Sequence, residues 1–558
     1  MRFNTIAEYH ENFVDVGFDR RGVFSSMKIT APDNFNFAYD IIDKFAEMEP
    51  NRPALVWTNG ADERRFTYGD LSRLSNQAAN LFAAEGIKKG DKVMLVLKRH
   101  YQFWFALLGL MKLGAVAIPA THLLTEKDFS YRFKNAEVVG IVATGANPEV
   151  AEYVDLAEKE LGVSLKAKLI ANGEVKQAGW KNFDELIDSQ PDTFQRVENT
   201  ADDMVLLYFT SGTTGYPKMV THGHRYSLSH LQSGMWQNLQ PDSLHLTIAD
   251  TGWAKAVWGK FFPQFLFGAQ VFVYDFERFV AEDILRVIEK FKVTSFCAPP
   301  TMYRFFIQED LSKYDLSALK YTTTAGEALN PEVFEKWKKQ TGKMIMEGFG
   351  QTETVIMLAN LPGTTPKPGS LGKPLPLYNI DLVDADGNSV KDGENGEIIM
   401  RETGNGRKSD GFTPGYYKNS EMDDKLWEGG VFHTGDVAWR DEDGFYWYVG
   451  RNDDVIKSSG YRIGPFEVES VLMTHPAVLE CAVTGADDPV RGKVVKATII
   501  LTKGYAPSPE LAKELQAHVK KNTAPYKYPR IVQFVDELPK TISGKIKRAE
   551  IRERDNSN

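Results

Sequence analysis

The chain has 558 residues, more than a single hydrophobic core holds, so two or more domains are expected. With 42% hydrophobic, 25% charged and 12% aromatic residues, its composition is ordinary for a soluble globular protein. A formal net charge of -9 argues against a general nucleic-acid binder, which needs a basic surface, yet leaves room for a local cationic pocket.

Cys297 and Cys481 are the only cysteines, so neither a disulfide framework nor a metal knuckle is expected, and a reducing compartment fits. The start, MRFNTIAEYHENF, carries acidic residues and lacks an apolar signal core, which makes the cytoplasm the expectation.

In chain order, residues 66–97 predict a helix, a glycine-containing turn and a strand over Val93–Leu97, and a further helix starts near Tyr101. The run FWFALLGLMKLGAVAIPA (103–120) is the nearest approach to a membrane span. Lys112 interrupts it and Pro119 closes it, so a core helix followed by a short strand is expected, with no membrane span. VGIVAT (139–144) and MVLLYFT (204–210) predict strands, the second running into TSGTTGYPKMV (210–220). In that loop Gly212 and Gly215 let successive N–H groups converge on an anion. Ser211, Thr213 and Thr214 add hydroxyls and Lys218 a mobile positive charge, an inventory suited to a polyphosphate. A Walker loop is excluded because Pro217, not glycine, precedes the lysine.

Residues 281–300 predict a helix with Ile284, Leu285, Ile288 and Phe291 on one face, followed by a strand over Val293–Cys297. KYTTTAGEALN (320–330) and KMIMEGFGQTET (343–354) each predict a strand that exits into a polar loop, where an open parallel sheet holds its ligand. After about residue 365, short alternating runs separated by D-G and N-G turns favour antiparallel strands or a distorted barrel. A hairpin, a polar junction and a new helix near Pro465 follow, and KVVKATIIL (493–501) predicts a further strand. The domain boundary is placed at 452–454, giving a large domain over 1–452 and a small one over 453–558.

Six of these segments occur in the order of one known family: 208–220, 325–330, 347–354, HTGD (433–436), GRNDDVIKSSGYRIGPFEVE (450–469) and PKTISGKIKR (539–548). Together they resemble the AMP-forming acyl-CoA synthetases, part of the adenylate-forming group that also includes firefly luciferase and peptide-synthetase adenylation domains. The resemblance covers most of residues 204–548. It implies an α/β fold: a large multi-layer N-terminal domain with α/β sheets and a distorted β-barrel, plus a small mobile α+β C-terminal domain. It also implies ATP, Mg2+ and coenzyme A, with a carboxylate attacking the α-phosphorus of ATP and a thiol then displacing AMP.

By that resemblance the loop from Thr210 through Ser211, Gly212, Thr213, Thr214 and Gly215 to Lys218 would hold the β,γ-phosphates. Glu353 would coordinate Mg2+ and Thr352 would donate to the α-phosphate. Gly326, Glu327, Ala328 and Phe349 would line the adenine pocket, while Asp436 and Arg451 would contact ribose or phosphate. Lys545 would bridge the incoming carboxylate and the α-phosphate. Gly460 would line the pantetheine tunnel, Arg462 would lie near the coenzyme A phosphate or adenine, and Asp453 matches the pivot of the small domain.

Acetyl-CoA synthetases carry a tryptophan where this chain has Gly350, so room for several methylenes is expected. Each is worth about 0.8 kcal/mol when buried. The aromatic stretch 250–275 and Met219 after the lysine resemble the medium-chain subfamily, with Trp253, Trp258 and Trp236 as candidate walls of the acyl site. Medium-chain fatty acids lead, with branched short-chain and aromatic acids as the alternative. Loading of a separate carrier protein, an oxygenase of the luciferase kind and a non-catalytic nucleotide-binding scaffold are the other readings.

Overall fold

The computed structural model describes residues 3–210, 217–401, 410–458, 461–488, 491–540 and 546–556. Two sheets dominate the large domain. The first has seven strands in the order Lys218–Gly223, Met204–Thr210, Val116–Pro119, Lys92–Val96, Val138–Thr144, Ala167–Ala171 and Lys181–Asn182. Every neighbouring pair is parallel except the first, which is antiparallel. The strands on either side of the predicted polyphosphate loop are therefore antiparallel, with Thr210 paired to Lys218, and residues 211–216 lie outside the described residues.

The second sheet has nine strands, and six parallel ones form its centre: Ile345–Gly350, Tyr321–Ala325, Ser295–Cys297, Leu244–Thr247, Gln270–Tyr274 and Pro53–Thr58. Antiparallel strands close both edges. The near-continuous apolar strands of both sheets are what two-sided burial by crossover helices requires. Helix Tyr68–Ala84 starts on a capping box between Thr67 and Asp70, and helix Ala281–Phe291 buries Ile284, Leu285 and Ile288 as its spacing predicts.

The membrane-like run forms helix Gln102–Leu113, in which every residue is buried, and strand Val116–Pro119. Lys112 is tolerated there because its ammonium donates to Asp43 Oδ1 at 2.7 Å and Asn76 Oδ1 at 2.6 Å. Among the described residues no helix is long and apolar enough to cross a membrane.

Beyond residue 365, strands Asn379–Val383, Gly396–Arg401, Val431–Arg440 and Tyr446–Arg451 form an antiparallel sheet in sequence order. The sheet is open where a distorted barrel was the alternative, since among the described residues its first and last strands do not pair. The small C-terminal unit has its own five-stranded sheet, in which Gly492–Leu501 pairs with Ile456–Ser458, Val478–Asp488 and Ile531–Phe534. Helices Pro465–Leu472 and Pro509–Asn522 pack on its separate core of Ile463, Val468, Leu472, Leu515 and Val519.

Candidate active site

The turn after strand Ile345–Gly350 carries Gln351, Thr352 and Glu353, and three successive carbonyls of this turn are held by other segments. His222 Nε2 donates to the Thr352 carbonyl at 2.8 Å, the Thr413 amide to the Glu353 carbonyl at 2.7 Å, and the Tyr226 hydroxyl to the Thr354 carbonyl at 3.3 Å. Burial pushes His222 down to about 3, so the ring is neutral and its single proton sits on the nitrogen that donates. Its ring stacks on Tyr226 at 3.6 Å. The backbone around Thr352 and Glu353 is thus fixed before any ligand arrives.

The Glu353 side chain accepts from the Tyr416 hydroxyl at 2.8 Å, and Lys218 Nζ lies 5.2 Å from the centroid of the same ring. Burial and then the Glu353 charge raise the Tyr416 phenol, which keeps it a donor. The predicted phosphate lysine and the predicted metal carboxylate therefore meet across one aromatic ring.

Asp436 is buried, 4% exposed, on strand Val431–Arg440. Its carboxylate accepts from Gln351 Nε2 at 2.6 Å and from the Tyr448 hydroxyl at 3.1 Å. Arg451, opposite it across the strand pair, approaches to 4.0 Å and reaches Asp453 at 3.8 Å. Phe349 faces Tyr448 at 6.3 Å between centroids. Gln351 links the two clusters, since it follows the strand that delivers Glu353 and binds the predicted ribose acceptor.

Gly326 has φ +104, a left-handed conformation that glycine takes without strain, and it turns the chain out of strand Tyr321–Ala325. Glu327 Oε2 accepts from Thr301 at 2.9 Å, Ala328 is buried, and the Leu329 amide donates to Glu347 Oε1 at 2.9 Å. Lys255 Nζ donates to the Ala325 carbonyl at 2.6 Å. Lys255 belongs to helix Ala254–Lys260, whose N-terminus is half-buried Trp253 and which also carries half-buried Trp258. Trp258 Nε1 donates to the Tyr226 hydroxyl at 2.9 Å. The aromatic segment is thereby tied to both the glycine turn and the Glu353 turn. Trp236 is packed in the core, its indole donating to the Met346 carbonyl.

Gly350 has a backbone reason to be glycine. A Cβ there would stand 2.5 Å from the Val355 carbonyl oxygen, beside an irregularity in pairing with strand Ile356–Ala359. The missing side chain answers to this close approach, a reason independent of the acyl-site room expected from the sequence.

Ser211, Gly212, Thr213, Thr214, Gly215, Gly460 and Lys545 lie outside the described residues. Arg462 falls on strand Tyr461–Ile463 of the small unit, paired in register with Lys457. Sequence reasoning passed over Tyr416, His222, Lys255, Gln351, Tyr448 and Glu347. Tyr416 sits in TPGYYKN, which reads as a turn, and the others are polar residues whose partners lie far off in the chain, where no local pattern discloses them.

The family model described as AMP-binding enzyme matches residues 42–417, and that of the AMP-binding enzyme C-terminal domain matches 467–545. The chain belongs to the AMP-binding enzyme family. The mouse acyl-coenzyme A synthetase ACSM3, mitochondrial, is 40% identical over 539 residues, 95% of this chain and 92% of that protein. The human acyl-coenzyme A synthetase ACSM5, mitochondrial, is 43% identical over 532 residues, 93% and 90% of the two chains. The crystal structure of the anthranilate CoA ligase AuaEII in complex with anthranoyl-AMP superimposes with a TM-score of 0.86 at 32% identity, covering 94% of this chain and 98% of that one.

The enzyme is an AMP-forming acid–thiol ligase with ATP and coenzyme A as co-substrates and Mg2+ as its metal. The residues present fit that ion. Among the described residues there is no group of three or more His, Cys, Asp or Glu side chains that could hold a metal. A lone carboxylate such as Glu353, completed by phosphate and water oxygens, is the arrangement Mg2+ favours.

The expectation of a cytoplasmic protein is overturned, because the ACSM3 relatives are mitochondrial proteins. Cys297 and Cys481 are buried and free.

Proposed function

We propose that the enzyme activates a medium-chain fatty acid as its acyl-adenylate and transfers the acyl group to coenzyme A. One observation carries the substrate reading: the bond from Lys255 to the Ala325 carbonyl, which moors the Trp253–Trp258 helix beside the adenine turn. An acid lying against these indoles would have its carboxylate next to the nucleotide.

In this reading Glu353 holds Mg2+, Thr352 donates to the α-phosphate, and the Thr210–Lys218 loop takes the β,γ-phosphates. Mg2+, when bound, offsets the charge that gathers on the phosphates. Gly326, Glu327, Ala328 and Phe349 receive the adenine. Asp436 accepts both ribose hydroxyls beside its present donors, since an ionised carboxylate offers about four lone pairs, and Arg451 supplies a cation at its edge. Lys545 bridges the acid and the α-phosphate during adenylation, and Gly460 and Arg462 serve the thiol step.

The small domain is mobile in this reading and turns about Asp453. Supporting that boundary, the next residue, Asp454, is bound at 2.5 Å by Arg552 of the terminal helix Arg548–Asn556, so the small unit is already anchored there. Retention of both half-reactions in Asp453→Pro would remove the pivot.

The likeness to AuaEII, a ligase of an aromatic acid, favours aromatic acids as a second reading. A panel of linear C2 to C12 acids with isobutyrate, 2-methylbutyrate and benzoate, followed by coenzyme A-dependent AMP release, separates the two. Highest kcat/KM among medium-chain acids is expected; acetate as the best substrate would overturn the open acyl site, and benzoate as the best would install the second reading.

A further inference from the structure

Tyr416 is 5% exposed and reaches its place by backbone pairing. It bridges to Val220 in antiparallel fashion, the Tyr417 amide donates to the Met219 carbonyl at 2.8 Å, and the Thr221 hydroxyl donates to the Gly415 carbonyl at 2.7 Å. Its own amide donates to Asp423 Oδ1 at 2.7 Å. The ring is therefore clamped to the strand that leaves the phosphate loop.

Its hydroxyl and its ring face engage two different charged side chains. The hydroxyl donates to Glu353 Oε1, which fixes the carboxylate's rotation, while Glu353 Oε2 makes no hydrogen bond among the described residues. The ring face attracts the Lys218 ammonium. We propose that Tyr416 is a positioning residue that sets, through one side chain, both the carboxylate offered to the metal and the ammonium offered to the triphosphate. This rests on the roles given above to Glu353 and Lys218.

Two substitutions separate the two couplings. Tyr416→Phe keeps the ring and loses the hydroxyl; Tyr416→Leu loses both. The readout is the ATP dissociation constant of the full chain by calorimetry, once with Mg2+ and once with chelator, with melting temperatures confirming the fold. Tyr416→Phe is expected to weaken ATP binding on the order of tenfold with Mg2+, the scale of a hydrogen bond to a charged group, and to leave metal-free binding within about twofold. Tyr416→Leu is expected to weaken metal-free binding as well, by about threefold. Unchanged binding by Tyr416→Phe with Mg2+, or equal weakening with and without it, would overturn the proposal. Should the unsubstituted enzyme bind ATP no better with Mg2+ than without, the reading of Glu353 as metal ligand falls and this inference falls with it; a normal Mg2+ effect in that enzyme with none lost in Tyr416→Phe removes the inference alone.

Discussion

Glu347 shows how a single buried acid can organise a site without touching ligand. It is 2% exposed, accepts from the Leu329 amide with one oxygen and leaves the other without a hydrogen-bond partner among the described residues. Burial raises its carboxyl well above the ordinary 4.5, so it is kept neutral while it ties the turn that follows Gly326 to strand Ile345–Gly350. The folded chain then retains a proton that the unfolded chain releases above about pH 4.5, so stability falls as pH rises from there towards the folded value. Glu347→Gln keeps shape and acceptor but cannot ionise. Its melting temperature is expected to match that of the unsubstituted enzyme near pH 4.5 and to exceed it by a margin that widens as pH rises from there. A margin independent of pH would show that the proton is not held in the fold.

At the scale of elements, the apolar strands were legible because their composition is dictated by burial on both faces. Met204–Thr210 has the bounds read from its sequence, and the helix at Pro465 starts where a proline at the first helical position predicts. What the sequence hid was pairing. Nothing in KMVTHG announces that it returns antiparallel to Met204–Thr210, because register is set by partners distant in the chain. The open sheet after residue 379 was read only as antiparallel or barrel for the same reason, since closure depends on which edges meet. The hairpin of Ile345–Gly350 and Ile356–Ala359 supplies the test at this scale. A methyl at Gly350 meets a backbone oxygen that cannot rotate away, so Gly350→Ala is expected to cost about 1–3 kcal/mol in chemical denaturation. A change below about 0.5 kcal/mol would show that the backbone approach does not require the glycine.

For the whole molecule, six motifs in family order carried the reaction, and the structure adds how two of them, 208–220 and 347–354, are held together by a segment outside all six. Strand 218–223, turn 351–353 and segment 413–416 bind one another through His222, Thr413 and Tyr416. Compartment was not legible, because free cysteines report redox poise and not an address. Adenylation in this account needs the large domain to hold ATP and the small domain to deliver Lys545. The direct measurement is exchange of labelled pyrophosphate into ATP with a medium-chain acid present and coenzyme A absent, for the unsubstituted enzyme and for folded Lys545→Ala. Saturable, acid-dependent exchange is expected, and Lys545→Ala is expected to lower it at least about a hundredfold, the scale of losing one transition-state charge contact. Exchange that ignores the acid, or that Lys545→Ala sustains at the full rate, would contradict this mechanism.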